Sequence, residues 1–326
     1  MIMTRRDFLM ASSALAVGGC RAFDGEGGDR WSDGVALCQK GGIRVRFLGS
    51  GASGWKPEWA KNPHMRRQSS VLIENKVLVD FTSSAFDMLP SGCRPEVLFQ
   101  THSHGDHYDP EAAVRSGVRR MYVQETWATA ARREVEEAAD RLGLSAPRVI
   151  ALPFAQPVTV CGLTVTGVPA NHSTSRVTAG VLERTSLYLI EKGPSRLLYA
   201  TDTGGIPGDA ARMVGIDHHI RPDGYGKRFA DNPMVREPSP ITAFIMEATN
   251  GDVDDDFRIF VHSSVQTVAR IVNAMEKTGR FTPPPGQCAY LTHLGIKYRG
   301  WSAERIDAEI PSSLRAAYDG LETVLG

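Results

Sequence analysis

A short apolar stretch, Glu96-Val97-Leu98-Phe99-Gln100, runs straight into Thr101-His102-Ser103-His104-Gly105-Asp106-His107. A strand that ends in three imidazoles and a carboxylate constrains the fold more than any other feature of the chain. In a loop at a strand end such side chains can converge on one point. Closely spaced nitrogen and oxygen donors of this kind converge on cations, which zinc accepts at roughly 2.0–2.2 Å. An isolated histidine is ordinarily a satisfied core or surface residue; the whole run H-x-H-x-D-H at a strand end reads as a metal site.

The surrounding pattern is that of a layered α+β sandwich. Ile43-Arg44-Val45-Arg46-Phe47-Leu48 alternates as a half-buried strand does and stops at Gly49-Ser50-Gly51. Val71–Ile73 and Lys76–Asp80 read as a hairpin turning at Glu74-Asn75, and further strands are expected near 148–152, 157–168, 185–191 and 196–200. A helix over 126–142 ends at Gly143, and a late helix is expected from Ser263, where Ser263-Ser264-Val265-Gln266 has the form of a capping box. Its buried stripe is Val265, Val268, Ile271, Val272 and Met275. No internal repeat is visible. Strands broken by a few helices predict two packed sheets covered by helices.

The first 19 residues stand apart. Thr4-Arg5-Arg6-Asp7-Phe8-Leu9 precedes a small apolar stretch, Met10 to Gly19, too short to span a bilayer and suited to an export signal of twin-arginine type. Val17-Gly18-Gly19-Cys20 resembles a lipoprotein cleavage box with Cys20 as the lipid-bearing residue; a plain cleaved signal with an incidental cysteine is the other reading. Residues 20–41 read as a flexible spacer, and 42–326 as one hydrolase domain. The expected location is therefore outside the cytoplasm, periplasmic or lipid-anchored, with the membrane touched only through Cys20. The formal net charge is zero, so nothing in the composition points to a nucleic-acid polymer or an anionic membrane as partner. A small-molecule substrate is expected. None of Cys20, Cys38, Cys93, Cys161 and Cys288 forms a C-x-x-C pair, which excludes a zinc knuckle and leaves buried free thiols as the expectation.

The H-x-H-x-D-H loop, with other segments in order from about Gly42 to Gly295, resembles the metallo-β-lactamase-fold hydrolases. Leu78-Val79-Asp80 is similar to the strand ending in a supporting aspartate, and Pro169-Ala170-Asn171-His172 to the segment bearing the next histidine ligand. Tyr199-Ala200-Thr201-Asp202-Thr203-Gly204 resembles the bridging-aspartate segment, and Leu291-Thr292-His293-Leu294 that of the last histidine. The resemblance implies a four-layer αβ/βα sandwich and two divalent metal ions, zinc by default with manganese and iron also suited. It further implies that His102, His104 and His172 hold one ion, that Asp106, His107 and His293 hold the other, and that Asp202 bridges them. Asp80 is implied as the group that orients a ligand histidine.

Arg46–Gly51, Arg66-Arg67-Gln68-Ser69-Ser70, and Glu247-Ala248-Thr249 followed by His262-Ser263 resemble the branch with the cyclic phosphodiesterase of phosphonate breakdown and the tRNA 3′-processing endonucleases. Residues 52–65 lack the cysteines of that branch's structural zinc site, so no further zinc is expected. Trp55 and Trp59 in this stretch offer ring faces for a sugar or base, or simple loop packing. His262 stands one residue before the expected helix cap, where the positive helix end would lower its pKa and attract phosphate. The expected catalytic residues are therefore Asp106, His262 as acid to the departing oxygen, and Asp80. Ile206–Pro240, with Asp217-His218-His219, Arg221, Tyr225, Lys227 and Arg228, reads as an irregular insertion of lid type.

These readings converge on a dinuclear metal-dependent hydrolase, a phosphodiesterase of small and cyclic diesters. The alternatives are a lactone, ester or lactam hydrolase on the same fold, and a non-catalytic metal- or ligand-binding lipoprotein.

Overall fold

The structure, a computed structural model, describes residues 41–217, 239–254 and 257–326. The export segment, Cys20, Cys38, the spacer up to residue 40, His218, His219, Arg221, Tyr225, Lys227 and Arg228 lie outside the described residues. Among the described residues no helix is long and apolar enough to cross a membrane.

Two seven-stranded sheets form the body. The first contains β1 (Ile43–Gly49), β2 (Ser70–Ile73), β3 (Val77–Val79), β4 (Val97–Phe99), β5 (Arg120–Gln124) and β6 (Arg148–Leu152) in sequence order. The C-terminal strand β16 (Glu322–Leu325) completes it, pairing antiparallel with β1. The second sheet holds β7 (Pro157–Val160), β8 (Leu163–Pro169), β11 (Ser186–Lys192), β12 (Ser195–Ala200), β13 (Ala243–Glu247), β14 (Ala289–Thr292) and β15 (Leu314–Ala316). A small hairpin, β9 (Val177–Thr178) and β10 (Val181–Leu182), projects between β8 and β11.

Each sheet is antiparallel on one side and parallel on the other: β3 to β6 run parallel, as do β12 to β15. Parallel neighbours need crossovers, and helices supply them. These are α1 (Pro110–Arg115), α2 (Ala128–Leu142), α3 (Gly208–Met213), α4 (Val265–Lys277) and α5 (Ala303–Asp307).

Alternation along the strands sorts side chains into three cores. Val77, Val79, Val97, Phe99, Tyr188, Ile190, Leu197 and Tyr199 fill the space between the sheets. Leu78 and Leu98 turn the other way, onto Ala131, Val135 and Ala138 of α2, while Leu189, Leu198 and Phe244 pack on Val265, Val268 and Val272 of α4. Both sheets are thus buried on both faces, which is the expected four-layer α+β sandwich.

Local chemistry explains several boundaries. Glu74 and Asn75 both have positive φ, 52° and 55°, the backbone of a tight two-residue hairpin turn whose twist suits the flanking strands. Cys161 and Gly162 do the same at 50° and 80°, so the stretch expected as one strand over 157–168 is two, β7 and β8. Gly143 ends α2 in the left-handed conformation at φ 64°. Helix α4 starts one residue later than expected. Ser264 is its cap, accepting from Thr267 N at 3.0 Å, while the Ser263 hydroxyl is committed to Thr203 O and Gly205 N. The insertion at 206–240 opens with α3, whose Ala210 and Met213 are buried in the core, so its described part is not irregular. Cys93, Cys161 and Cys288 are half-buried rather than fully buried.

Candidate metal centre

Strands β3 and β4 run parallel, and β8, β12, β13 and β14 share one direction in the second sheet. The residues that follow these strands, Asp80, the 101–107 loop, His172, Asp202, Glu247 at the end of β13, and His293, come together at one edge of the sandwich. Asp80, Asp202 and His293 take left-handed backbone, φ 52°, 48° and 49°. Asp and His tolerate that region better than most residues, yet it costs on the order of 1–3 kcal/mol each and persists only where the surroundings fix it.

His102 Nε2, His104 Nδ1, His172 Nε2 and a carboxylate oxygen of Asp202 form one donor set. His104 Nδ1 lies 3.0 Å from His102 Nε2 and 3.1 Å from His172 Nε2, and Asp202 Oδ2 is 3.3 Å from His102 Nε2. Asp106, His107 and His293 form a second: the two Nε2 atoms are 3.1 Å apart, and Asp106 Oδ2 is 3.4 Å from His293 Nε2. Asp202 Oδ2 is 3.4 Å from His107 Nε2, which places it against both sets. All seven residues expected from the sequence are brought together in these two groups, and Asp202, His262 and His293 form a third that was not expected.

The outer nitrogens show how the set is primed. His107 Nδ1 donates to Asp80 Oδ2 at 2.7 Å, and His172 Nδ1 donates to Val261 O at 3.1 Å. Thr101 gives its hydroxyl proton to Asp80, so it accepts from His102 Nδ1 at 2.9 Å. Thr249 gives its own to Glu247 Oε2 and accepts from His293 Nδ1 at 2.7 Å. In four imidazoles Nδ1 is thereby committed to an outer acceptor and Nε2 is turned inward. Lone pairs facing each other at about 3 Å repel. Asp202 Oδ1, although 3.1 Å from His293 Nδ1, is buried without a hydrogen bond. Inward nitrogens and an orphaned carboxylate oxygen are what a cation satisfies, and the donor set fits divalent metal.

Protonation follows the same logic. Burial holds His102 down, at about 3, and burial also lowers His104 and His172. Burial opposes the charge on His107 too, but Asp202, Asp80 and Asp106 outweigh it and raise its pKa. Burial would lift the Asp106 and Asp202 carboxyls, yet the facing His107 and His293 keep both below the usual range, ionised and ready as ligands.

Asp80 is fully buried and also accepts from Thr101 N at 2.8 Å and Gln100 Nε2 at 3.0 Å. It cannot touch a substrate, so its role is to position His107. Asp80→Asn is expected to weaken metal affinity roughly 10–100-fold, as loss of such outer partners does, measured by competition with a chromophoric chelator.

His262 lies beside the two sets, its ring 5.0 Å from His172 and 6.0 Å from His293. Its Nδ1 is 3.0 Å from Glu247 Oε1, a fully buried carboxylate that also accepts from Thr203 N, Ser263 N and Thr249 N at 2.8–3.0 Å. Burial opposes the imidazolium, but the Glu247 hydrogen bond and charge outweigh it, so the pKa of His262 is raised and not lowered as the helix end alone would have it. Glu247 thus links His262 directly, and His293 through Thr249, to one carboxylate. The hydroxyls of Thr101 and Thr249 were not singled out in the sequence; a threonine beside a ligand histidine, or two residues after a strand-end glutamate, is the only local signal for them.

Trp55 and Trp59 meet edge to face at 6.3 Å, with Arg67 over Trp55 at 5.0 Å and Arg299 over Trp59 at 4.8 Å. Each indole already carries one of this chain's own cations.

Residues 87–285 match the model of the beta-lactamase superfamily domain. No curated protein sequence matches the chain. Among solved structures it is similar to the metallo-beta-lactamase fold protein YhfI from Bacillus subtilis, at 17% identity and TM-score 0.54, covering 87% of this chain and 100% of that one. It is also similar to the short form of human tRNase Z, at 15% identity and TM-score 0.56, covering 86% and 98% of the two chains. Zn2+-bound PqqB from Methylobacterium extorquens is a third, at 19% identity and TM-score 0.57, covering 86% and 99%. Likeness at these identities is likeness of fold, and the family match spans more than half of the sequence: the chain belongs to the β-lactamase superfamily and has the metallo-β-lactamase fold.

Proposed function

We propose that the chain is a dinuclear metal-dependent phosphodiesterase of small diesters, cyclic ones included. The observation that carries this reading is His262, held by the buried Glu247 beside the two donor sets. Hydrolysis of a diester must expel an alkoxide, and a positioned acid is what that step needs. Ester, lactone and lactam hydrolysis also release a group that takes up a proton, so the choice between the two chemistries falls to the substrate panel below.

His102, His104 and His172 would hold one ion, Asp106, His107 and His293 the other, and Asp202 would touch both. When bound, divalent ions supply charge to a phosphoryl oxygen and a nucleophilic water at neutral pH. The chain's own residues do the rest. Glu247 fixes the His262 ring through Nδ1–H and favours its protonated form, leaving Nε2–H for the departing oxygen. Asp80, Thr101 and Thr249 keep the ligand Nε2 atoms inward. The expected location of the enzyme, outside the cytoplasm, rests on the Arg5-Arg6 segment and belongs to the same proposal.

The test is metal analysis of purified protein beside a panel of bis-aryl phosphate, 2′,3′-cyclic nucleotide, lactone and β-lactam substrates. Turnover of the phosphate esters is expected; turnover confined to the acyl substrates would overturn the reading.

A further inference from the structure

Ten large apolar side chains are exposed among the described residues, and six of them sit on two short segments: Val177, Val181 and Leu182 on the β9–β10 hairpin, and Phe257, Ile259 and Phe260. Scattered exposed apolar residues need no explanation, whereas clustering beside a chemical centre does. Both segments are tied to His172, one through Thr185 and the other through Val261. The base of the hairpin is clamped by Glu183, which is buried and accepts from Ser103 N at 2.8 Å, from the Ser103 hydroxyl and from Thr174 Oγ1 at 3.1 Å. Ser103 lies between His102 and His104. Thr185, just after the hairpin, donates to His172 O at 3.0 Å.

The second segment, a strap over Phe257–Val261, receives His172 Nδ1 on Val261 O. It lies so close on Gly204 that a β-carbon there would come within 2.5 Å of the Phe260 carbonyl. His172 is thus flanked by two firmly seated backbones whose apolar side chains are left in solvent, Phe257 at 87% and Phe260 at 77% exposure.

A cleft of about 480 Å3 adjoins Gly105, between His104 and Asp106, and Trp55, Gln68, Thr82, Ser83 and Asp87 are among its lining residues. Exposed apolar side chains thus lie on the His172 side, while the cleft beside Gly105 is lined by polar and apolar groups together, Pro57 and Ala60 among the latter.

We propose that the hairpin and the strap form an apolar subsite for the hydrocarbon part of an amphiphilic phosphodiester. This rests on the phosphodiesterase reading and names its substrate class. The metal-loaded full chain is assayed with 4-nitrophenyl phosphodiesters carrying methyl, butyl or octyl groups, each kept monomeric. The octyl ester is expected to exceed the methyl ester at least tenfold in kcat/KM, mostly through KM, a modest part of the about fourfold per CH2 that full burial gives. In Phe257→Ser/Phe260→Ser and in Val177→Ser/Leu182→Ser the octyl-to-methyl ratio is expected to fall toward one. Because the ratio is internal to each preparation, partial loss of active protein does not alter it. A ratio near one in the unmodified protein, or a high ratio kept by both double variants, overturns the subsite. No hydrolysis of any diester with metal bound overturns the phosphodiesterase reading beneath it.

Discussion

Asp202→Ala is expected to lower turnover roughly 10³-fold or more and to leave the protein with at most one ion per chain. The carboxylate stands against both donor sets, 3.3 Å from His102 Nε2 and 3.4 Å from His107 Nε2, and alanine offers neither set a replacement oxygen. The effect should exceed the 10–100-fold typical of outer partners, because the carboxylate faces both donor sets directly. Elemental analysis beside kcat on the preferred diester checks it. Two ions retained with near-native turnover would remove Asp202 from the centre.

His262→Ala is expected to leave the metal content intact and cut kcat about 10²–10⁴-fold on diesters with alkoxide leaving groups, the usual range for loss of a general acid. On diesters that expel 4-nitrophenolate the loss should be far smaller, since that anion departs without a proton. Equal losses on both leaving groups would make His262 a structural residue. Glu247→Gln adds a pH signature. Glu247 raises the pKa of His262, and the acid must be protonated to act, so rate falls as pH rises through that pKa. Removing the negative charge lowers the pKa, and the alkaline limb of the rate profile should move to lower pH. A limb that stays in place would separate Glu247 from the acid.

Much of this centre was legible because its donors lie at strand ends. The run from His102 to His107 follows β4 directly, and Asp80, Asp202 and His293 each come within two residues of a strand's last position. Strand-end placement is a local property, and sequence carries it. The hydroxyls that hold the ligand rings were not legible, because their role appears only after distant strands dock: Thr101 meets Asp80 across two strands, and Glu247 reaches His262 from a different connection. The Glu183 clamp on Ser103 was missed for the same reason.

Within the fold, hairpin turns marked by Glu74-Asn75 and the stop at Gly143 could be read from conformational preference. The pairing of β16 with β1 could not, since an amphipathic strand does not state its neighbour. Ser263 was misjudged as the cap of α4 because two adjacent serines fit the pattern equally. Only the tertiary demand of Thr203 and Gly205 on the first decides between them.

The donors alternate between halves of the molecule: His102, His104, Asp106 and His107 leave the first sheet, whereas His172, Asp202 and His293 leave the second. A chain still being synthesised holds the first four long before the last arrives. The set of His102, His104, His172 and Asp202 is complete before β14 is made, whereas that of Asp106, His107 and His293 closes only when β14 docks, so the two sets would meet metal at different stages of biosynthesis.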